Sequence, residues 1–502
     1  MAQNRWFANS AMLPSKIQSS VKLNLERTVE YRQSFLFAVG KKIMSSLFRD
    51  KRVFLVGIKG TGLSSLALWF DSVGTFVFGS DVKSTFNTEE KLKNGNITVY
   101  ESFDENLVPK ETDYLIYSAA YDKESHPQIV EAYKRGIPTY SYPQWIAYLT
   151  TLYPTYGISG THGKTTTSAL IDFILLQNGI KGFALYGSKL LCQREGSVKE
   201  FLILEACEYK DHFYLYDFKA LLITTIDFDH PDYFKNKNEV FNSFKSVVKK
   251  LEKGTPVICC YDVPLVKKLV RWIEKENLDL KLMTYGFDKG SDFKLEAKGE
   301  RLCLNGKVFN SPYRNNNLIL NSVGGVLMVK TILNENDKFL FSALSLIQNF
   351  SGLQGRLERL FEKDQILYID DYAHHPTEIT TTVDQLRKSY PTKKIVLIFY
   401  PHTYSRTAKL FKKFVKSLKG IDYLFIRPIF LSQRNDGDTK TQIQLSKKLA
   451  KRTEAEFVET EEELIKKVAH TLQAGFLCVT MGAGNNNDLA NKIAAFREKT
   501  EC

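Results

Sequence analysis

No two of the seven cysteines, at 192, 207, 259, 260, 303, 478 and 502, form a C-x-x-C pair, and the count is odd. A disulfide scaffold and a cysteine-built zinc site are excluded, and the thiols suit a reducing compartment as small buried apolar residues. No run approaches the roughly 18 apolar residues of a membrane span. The longest apolar stretch near the start, Ser34–Val39, is too short for a secretory leader. There is no internal repeat and no low-complexity tract. These absences predict a cytoplasmic protein without membrane insertion.

What is present is ordinary for globular chains: 502 residues, 43% hydrophobic and 25% charged, a length that suggests about three domains. Net charge is +13. Such a charge fits nucleic acid or small anionic ligands. The basic residues are spread out, apart from local clusters at Phe411–Lys419 and Lys447–Arg452, whose helical spacing reads as a solvated face. No focused nucleic-acid footprint results.

Residues 1–50 read as a polar, basic extension with one helix near Asn24–Leu47. Three blocks follow, at 51–151, 152–350 and 351–502. Each alternates short apolar runs with helical stretches, so the fold class is α/β with largely parallel sheets. In the first block, RVFLVG (52–57) is a buried strand and GIKGTG a glycine turn into a helix. Asp81 ends the next strand. The order G-x-x-G-x-G departs from the dinucleotide fingerprint G-x-G-x-x-G and supports a nucleotide or diphosphate site rather than a nicotinamide.

The second block opens with GISGTHGKTTT (157–167). Five residues rather than four separate Gly157 from Gly163, so the usual phosphate-loop spelling is broken. A strand, a glycine turn and a helix start still gather backbone N–H groups around one anion. Gly160 and Gly163 allow close approach, Lys164 can bridge outer phosphates, and Thr165 can hold Mg²⁺. Glu205, in LEACE, ends a later strand at the edge where ligands gather in open α/β sheets. It is a Mg²⁺ candidate, and Glu208 is a weaker one. TTIDFDHPDYF (224–234) clusters Asp227, Asp229, His230 and Asp232 at another strand end. In the third block DDYAHHPTE (370–378) and PHTYSRT (401–407) also follow strands. They join Tyr372, His374, His375, His402 and Arg406 in a polar cluster suited to a carboxylate, which a guanidinium grips in a bidentate fork.

Taken in order from about residue 51 to 490, these stretches and MGAGN (481–485) resemble the Mur ligases of cell-wall synthesis, on their alanine-adding branch. The resemblance implies a Rossmann-like UDP-sugar domain, a central P-loop ATPase domain and a Rossmann-like amino-acid domain. It implies ATP and Mg²⁺ as cofactors, and UDP-N-acetylmuramate and L-alanine as substrates joined through an acyl phosphate. Gly57, Gly60, Thr61, Gly62, Ser80, Asp81 and Ser118 would shape the UDP-sugar site. Gly160, Thr161, His162, Gly163, Lys164, Thr165, Thr166, Asn321 and Arg356 would bind ATP. Thr165, Glu205 and His230 would hold metal, with Lys164, Glu205 and His230 catalytic. Tyr372, His374, His402 and Arg406 would line the L-alanine site, in a monomer or weak homodimer.

Three departures stand out. Only Asn321 remains of the adenine motif G-x-H-N-x-x-N, Gly355 precedes Arg356 where relatives pair arginines, and Thr403 stands where many have arginine. Attachment of a recycled peptide to the same sugar, a basic P-loop ATPase acting on nucleic acid, and an inactive ligase remain as alternatives.

Overall fold

The computed structural model describes residues 47–84, 86, 88–188, 197–298, 301–430, 438–482 and 486–501. Residues 24–46 of the helix expected near Asn24–Leu47, and residues 483–485 of MGAGN, lie outside them. From Phe48 onward the chain forms one compact unit built on three sheets.

The first sheet has the order β3-β2-β1-β4-β5, from β1 (Arg52–Val56), β2 (Phe76–Ser80), β3 (Ile97–Tyr100), β4 (Tyr114–Tyr117) and β5 (Thr139–Ser141). All its pairings are parallel. A parallel strand is covered on both faces, which is why RVFLV is continuous rather than alternating. Helix α1 (Thr61–Ser72) leaves β1. The order reverses between β1 and β4, and this switch point is where such sheets take ligands.

The second sheet runs β14-β13-β12-β11-β10-β9-β6-β8-β7. Its strands are β6 (Thr155–Ser159), β7 (Ile180–Leu185), β8 (Ser197–Ala206), β9 (Ala220–Ile223), β10 (Pro256–Cys260), β11 (Lys281–Gly286), β12 (Phe293–Lys298), β13 (Arg301–Leu304) and β14 (Lys307–Phe309). Helix α2 (Lys164–Gln177) follows β6 and is nearly all buried. It packs with α3 (Asn316–Leu333) in a core that includes Leu170, Ile174, Val323 and Leu327. Truncating one such side chain to alanine costs about 2–5 kcal/mol.

The chain has no run of about 18 apolar residues, and among the described residues α3 is the one helix that tests the expectation of no membrane span. By length and apolarity it qualifies, yet 56% of it is buried inside the protein. It is a core helix whose polar residues, Asn321, Ser322 and Lys330 among them, interrupt the apolar run in sequence.

The third sheet has the order β15-β16-β20-β17-β18-β19, from β15 (Glu358–Lys363), β16 (Ile366–Asp371), β17 (Ile395–Tyr400), β18 (Tyr423–Ile426), β19 (Glu456–Phe457) and β20 (Leu477–Gly482). Only β15 is antiparallel. Both DDYAHHPTE and PHTYSRT therefore leave carboxyl ends of strands that flank β20. Helix α4 (Pro376–Ser389) starts within the first of them, with His375 as its N-cap and Glu378 closing a capping box.

Candidate active site

The phosphate loop turns between β6 and α2. Gly163 holds φ +85°, and a Cβ there would lie 2.5 Å from Asn321 Oδ1. The position therefore demands glycine twice, by dihedral and by space. It also sets Asn321, from α3, directly over the loop. The N-terminus of α2 has no side-chain cap, so its first N–H groups remain for an anion. The His162 N–H donates to Thr225 Oγ1 at 2.7 Å and the Thr161 N–H to the Thr225 carbonyl at 2.9 Å. These bonds pin the loop to the end of β9. Thr166 is half-buried in the first turn of α2.

Lys164 folds back across the loop. Its ammonium donates to the Gly160 carbonyl, to Thr161 O at 3.1 Å and to Glu208 Oε2 at 2.9 Å. Burial works against the charge, but Glu208 outweighs it and keeps the pKa above its ordinary value. Thr165 Oγ donates to both Glu205 oxygens at 3.0 Å, and Gly187 N–H adds a bond at 2.8 Å. A hydroxyl and a carboxylate in contact are hard oxygen donors, the set Mg²⁺ prefers. Beside them Cys207, Glu208 and His230 offer ligand atoms within 4.8 Å of one another. Glu208 Oε1 is buried without a hydrogen-bond partner and lies 3.8 Å from His230 Nε2, a spacing that a shared cation would fit. Burial lowers the pKa of His230, opposed by Asp229 and Glu208.

The first-sheet loop reaches this place from the other side. Gly57 N–H bonds Ser80 O at 2.8 Å, and Ser118 N–H bonds Val56 O at 2.9 Å. Gly57 holds φ +86°, with Tyr121 and Ser118 where a Cβ would stand. Asp81 is taken up by the backbone: it accepts from Lys59 N at 2.7 Å and Val82 N at 2.8 Å. Ser80 Oγ donates to Gln128 at 2.5 Å. Gly60 caps α1 without a side chain. A cavity of about 160 Å³ lies between the domains, lined by Gly62, Ser65, Tyr142, Gly187, Glu205 and Cys207 among others. Thr61 also approaches it: a Cβ on Gly187 would lie 3.8 Å from the Thr61 methyl and 3.6 Å from Thr165 Oγ. Tyr142, at the start of a helix outside every motif, carries no sequence signal for this position.

The third domain closes the remaining side. His374 Nδ1–H donates to Tyr372 O at 2.9 Å, and its ring sits edge-on to Tyr372 and His402, 5.0 and 5.6 Å away. The Arg356 guanidinium lies 5.0 Å over the Tyr372 ring. Arg406 is buried and already forked onto Asp229, with Nε 2.7 Å from Oδ1 and Nη2 3.2 Å from Oδ2. Its Nη1 lies 3.2 Å from His402 Nδ1. The guanidinium expected for a substrate carboxylate thus spans two domains. Burial would raise the Asp229 pKa, but Arg406 holds it well below the carboxylate range. Thr403 keeps φ +63°, a strained value that costs about 1–3 kcal/mol. Glu378 reaches the phosphate loop, with Oε1 3.2 Å from His162 Nδ1. The motif HHPTE contained that carboxylate, but only the packing of α4 against the loop reveals its contact.

Comparison with known proteins places this geometry. The Mur ligase family, catalytic domain, matches residues 52–153; the Mur ligase middle domain matches 158–325; and the Mur ligase, glutamate ligase domain, matches 355–484. The UDP-N-acetylmuramate–L-alanine ligase of Borreliella burgdorferi is 33% identical over 458 residues, 86% of this chain and 96% of the relative. That of Desulfitobacterium hafniense is 33% identical over 446 residues, 86% of this chain and 97% of its own. The crystal structure of the UDP-N-acetylmuramate–alanine ligase from Thermotoga maritima superposes with TM-score 0.70 at 22% identity, over 90% of this chain and all of that one. On these matches, in the order and places where its three sheets fall, the chain belongs to the Mur ligase family.

Proposed function

We propose that the protein is an ATP-dependent ligase that joins L-alanine to the carboxylate of UDP-N-acetylmuramate. The observation that carries this reading is the junction cavity, where the first-sheet loop and Tyr142 face the Thr165–Glu205 pair. A sugar diphosphate bound at Gly57, Gly60, Thr61, Gly62, Ser80, Asp81 and Ser118 would extend its carboxylate toward the phosphate loop. The relatives named for this reaction support the choice of acceptor.

A carboxylate lacks a leaving group. Attack of its oxygen on the γ-phosphorus of ATP breaks the bond to the β-phosphate oxygen, releases ADP and leaves an acyl phosphate. The alanine amine then attacks the acyl carbon, the carbon–oxygen bond breaks, and phosphate departs with formation of the amide and loss of the amine proton. The N–H groups of the Gly160–Thr166 loop and α2 cradle the phosphates. Lys164, moved from Glu208 to the outer phosphates, neutralises developing charge, the main source of catalysis in phosphoryl transfer. Asn321 covers the loop on the adenine side, and Arg356 borders the nucleotide from the third domain. Thr165 and Glu205 would hold Mg²⁺, which supplies charge neutralisation when bound; Glu208 and His230 fit a second cation. Tyr372, His374 and His402 orient alanine, with Arg406 fixed by Asp229. The three domains enclose the acyl phosphate and exclude water from it.

The test is ADP release with UDP-N-acetylmuramate and a panel of acceptors. Release should require both the sugar nucleotide and L-alanine. Turnover only with a tripeptide acceptor, or stimulation by nucleic acid without the sugar nucleotide, would overturn the reading.

A further inference from the structure

A second group of potential ligands lies on the far side of the phosphate loop. His162, Asp227 and His375 each present one ligand atom within 4.8 Å of the others. His162 and Asp227 belong to the middle domain, and His375 to the loop after β16. Each residue is anchored on its other side. Glu378 faces His162 Nδ1 at 3.2 Å; a carboxylate only accepts, so that nitrogen carries the proton. In the neutral ring the lone pair then sits on Nε2, which is buried and has no hydrogen-bond partner. His162 as a whole is 8% exposed.

His375 Nε2 donates to the Phe228 carbonyl at 3.2 Å. Its Nδ1 lone pair faces inward and accepts the Thr377 N–H at 3.2 Å; a metal bound at this nitrogen takes the place of that one capping bond. Asp227 is held through Oδ1 by Lys237 at 2.9 Å and by the Phe228 N–H at 2.7 Å. Its Oδ2 takes the Thr377 hydroxyl at 3.2 Å and lies 4.0 Å from His162 Nε2. An imidazole whose outer N–H rests on a carboxylate or carbonyl is the arrangement that orients histidine toward a metal.

We propose that His162, Asp227 and His375 bind a borderline transition-metal ion of the Zn²⁺ class, distinct from any cation at Thr165 and Glu205. Two imidazoles and one carboxylate select such an ion over Mg²⁺ or Ca²⁺, which favour oxygen. Three protein ligands leave a fourth position for water. The ion clamps the third domain onto the phosphate loop through His375. Bound Zn²⁺ therefore stabilises the joined domains and slows any turnover that needs them to part.

The experiment loads the metal-free full chain with Zn²⁺, counts bound ion by equilibrium dialysis and records its X-ray absorption spectrum. One tightly bound Zn²⁺ with nitrogen and oxygen neighbours, two of them imidazole, is expected. Asp227→Asn and His375→Gln should each weaken binding by about 100-fold or more, and Glu378→Gln, which loses only the outer anchor, by about 10- to 100-fold. Glu205→Gln should bind Zn²⁺ as the unmodified protein does. Zn²⁺ should raise the melting temperature of the unmodified protein and not that of Asp227→Asn. A sulfur neighbour would overturn the proposal by placing the ion at Cys207, Glu208 and His230. Absence of binding at micromolar Zn²⁺, or unchanged affinity in folded Asp227→Asn, would also overturn it. The spectrum of the unmodified protein decides even if a variant fails to fold.

Discussion

Two glycine loops in this molecule share a plan and spend their lysines differently. Each follows a buried parallel strand, each turns through a glycine near φ +85°, and each opens a helix without a side-chain cap. Lys59 of the first loop is buried away from the helix end, its ammonium 2.9 Å from Glu89 and 2.8 Å from Glu101. Burial opposes that charge, and the two carboxylates outweigh it. Lys164 of the second loop lies across the helix end with one carboxylate partner, Glu208, in a cluster that retains orphaned atoms. A lysine neutralised twice holds a loop together. A lysine paired once, beside an uncapped helix, is available for an anion that displaces its partner. The same motif type thus yields a scaffold in one domain and a candidate reaction centre in the next.

The largest expected effect tests that contrast directly. Lys164→Ala should lower kcat in the ADP-release assay by about 10²- to 10³-fold, the scale of losing one transition-state charge contact, and should also lower the melting temperature, because it leaves the buried Glu208 carboxylate unpaired. Unchanged turnover would erase the distinction between the loops. Lys59→Ala should leave kcat nearly unchanged. It leaves Glu89 and Glu101, which water still reaches, without their cation, and should lower stability only modestly, read by denaturant unfolding.

Glycine replacement refines the comparison. Gly163→Ala strains φ and meets Asn321, costing about 1–3 kcal/mol. It should also raise the KM for ATP if Asn321, which a Cβ there would meet, takes the adenine-side role proposed for it. Gly57→Ala strains φ equally but meets the Tyr121 ring. It should leave the KM for ATP unchanged and alter that for the sugar nucleotide.

The smallest effect concerns the cover that only the second loop has. His374 lies 3.6 Å from Glu378, the residue that touches His162. Burial pushes the His374 pKa down to about 4, against an ordinary 6.5. The unfolded chain therefore takes up the proton first as pH falls. Stability is full above about pH 6.5 and is lost toward pH 4, by about 1 kcal/mol between pH 6 and 5 from this group. Thermal melts across that range should show the loss, and His374→Gln should flatten it.

Much of this was legible along the chain. Continuous apolar runs such as RVFLV and ALLI announced buried parallel strands, because a strand covered on both faces has no polar side to alternate. The glycine spacing around Lys164 announced an anion-binding turn, because dihedral freedom and a helix start are local properties. The irregular spelling at Gly157–Thr167 still closes around a helix start, with Gly163 as the cap and Lys164 as the first helical residue. Less legible were α3, whose scattered polar residues hid a core helix, and Tyr142, which no motif flanks. The fork of Arg406 was legible as chemistry but not as a contact. Nothing in PHTYSRT says that Asp229, 177 residues earlier, already occupies it.

The sequence alone determined the α/β alternation, the two glycine loops and the residue types available for phosphate, metal and carboxylate. These follow from periodicity and backbone geometry, which act over a few residues. Only the tertiary structure decided which lysine is neutralised, which carboxylates face cations, and that His162, Asp227 and His375 meet. Those outcomes depend on how three sheets stack their carboxyl edges together, and side chains hundreds of residues apart find each other only when that packing excludes water around them.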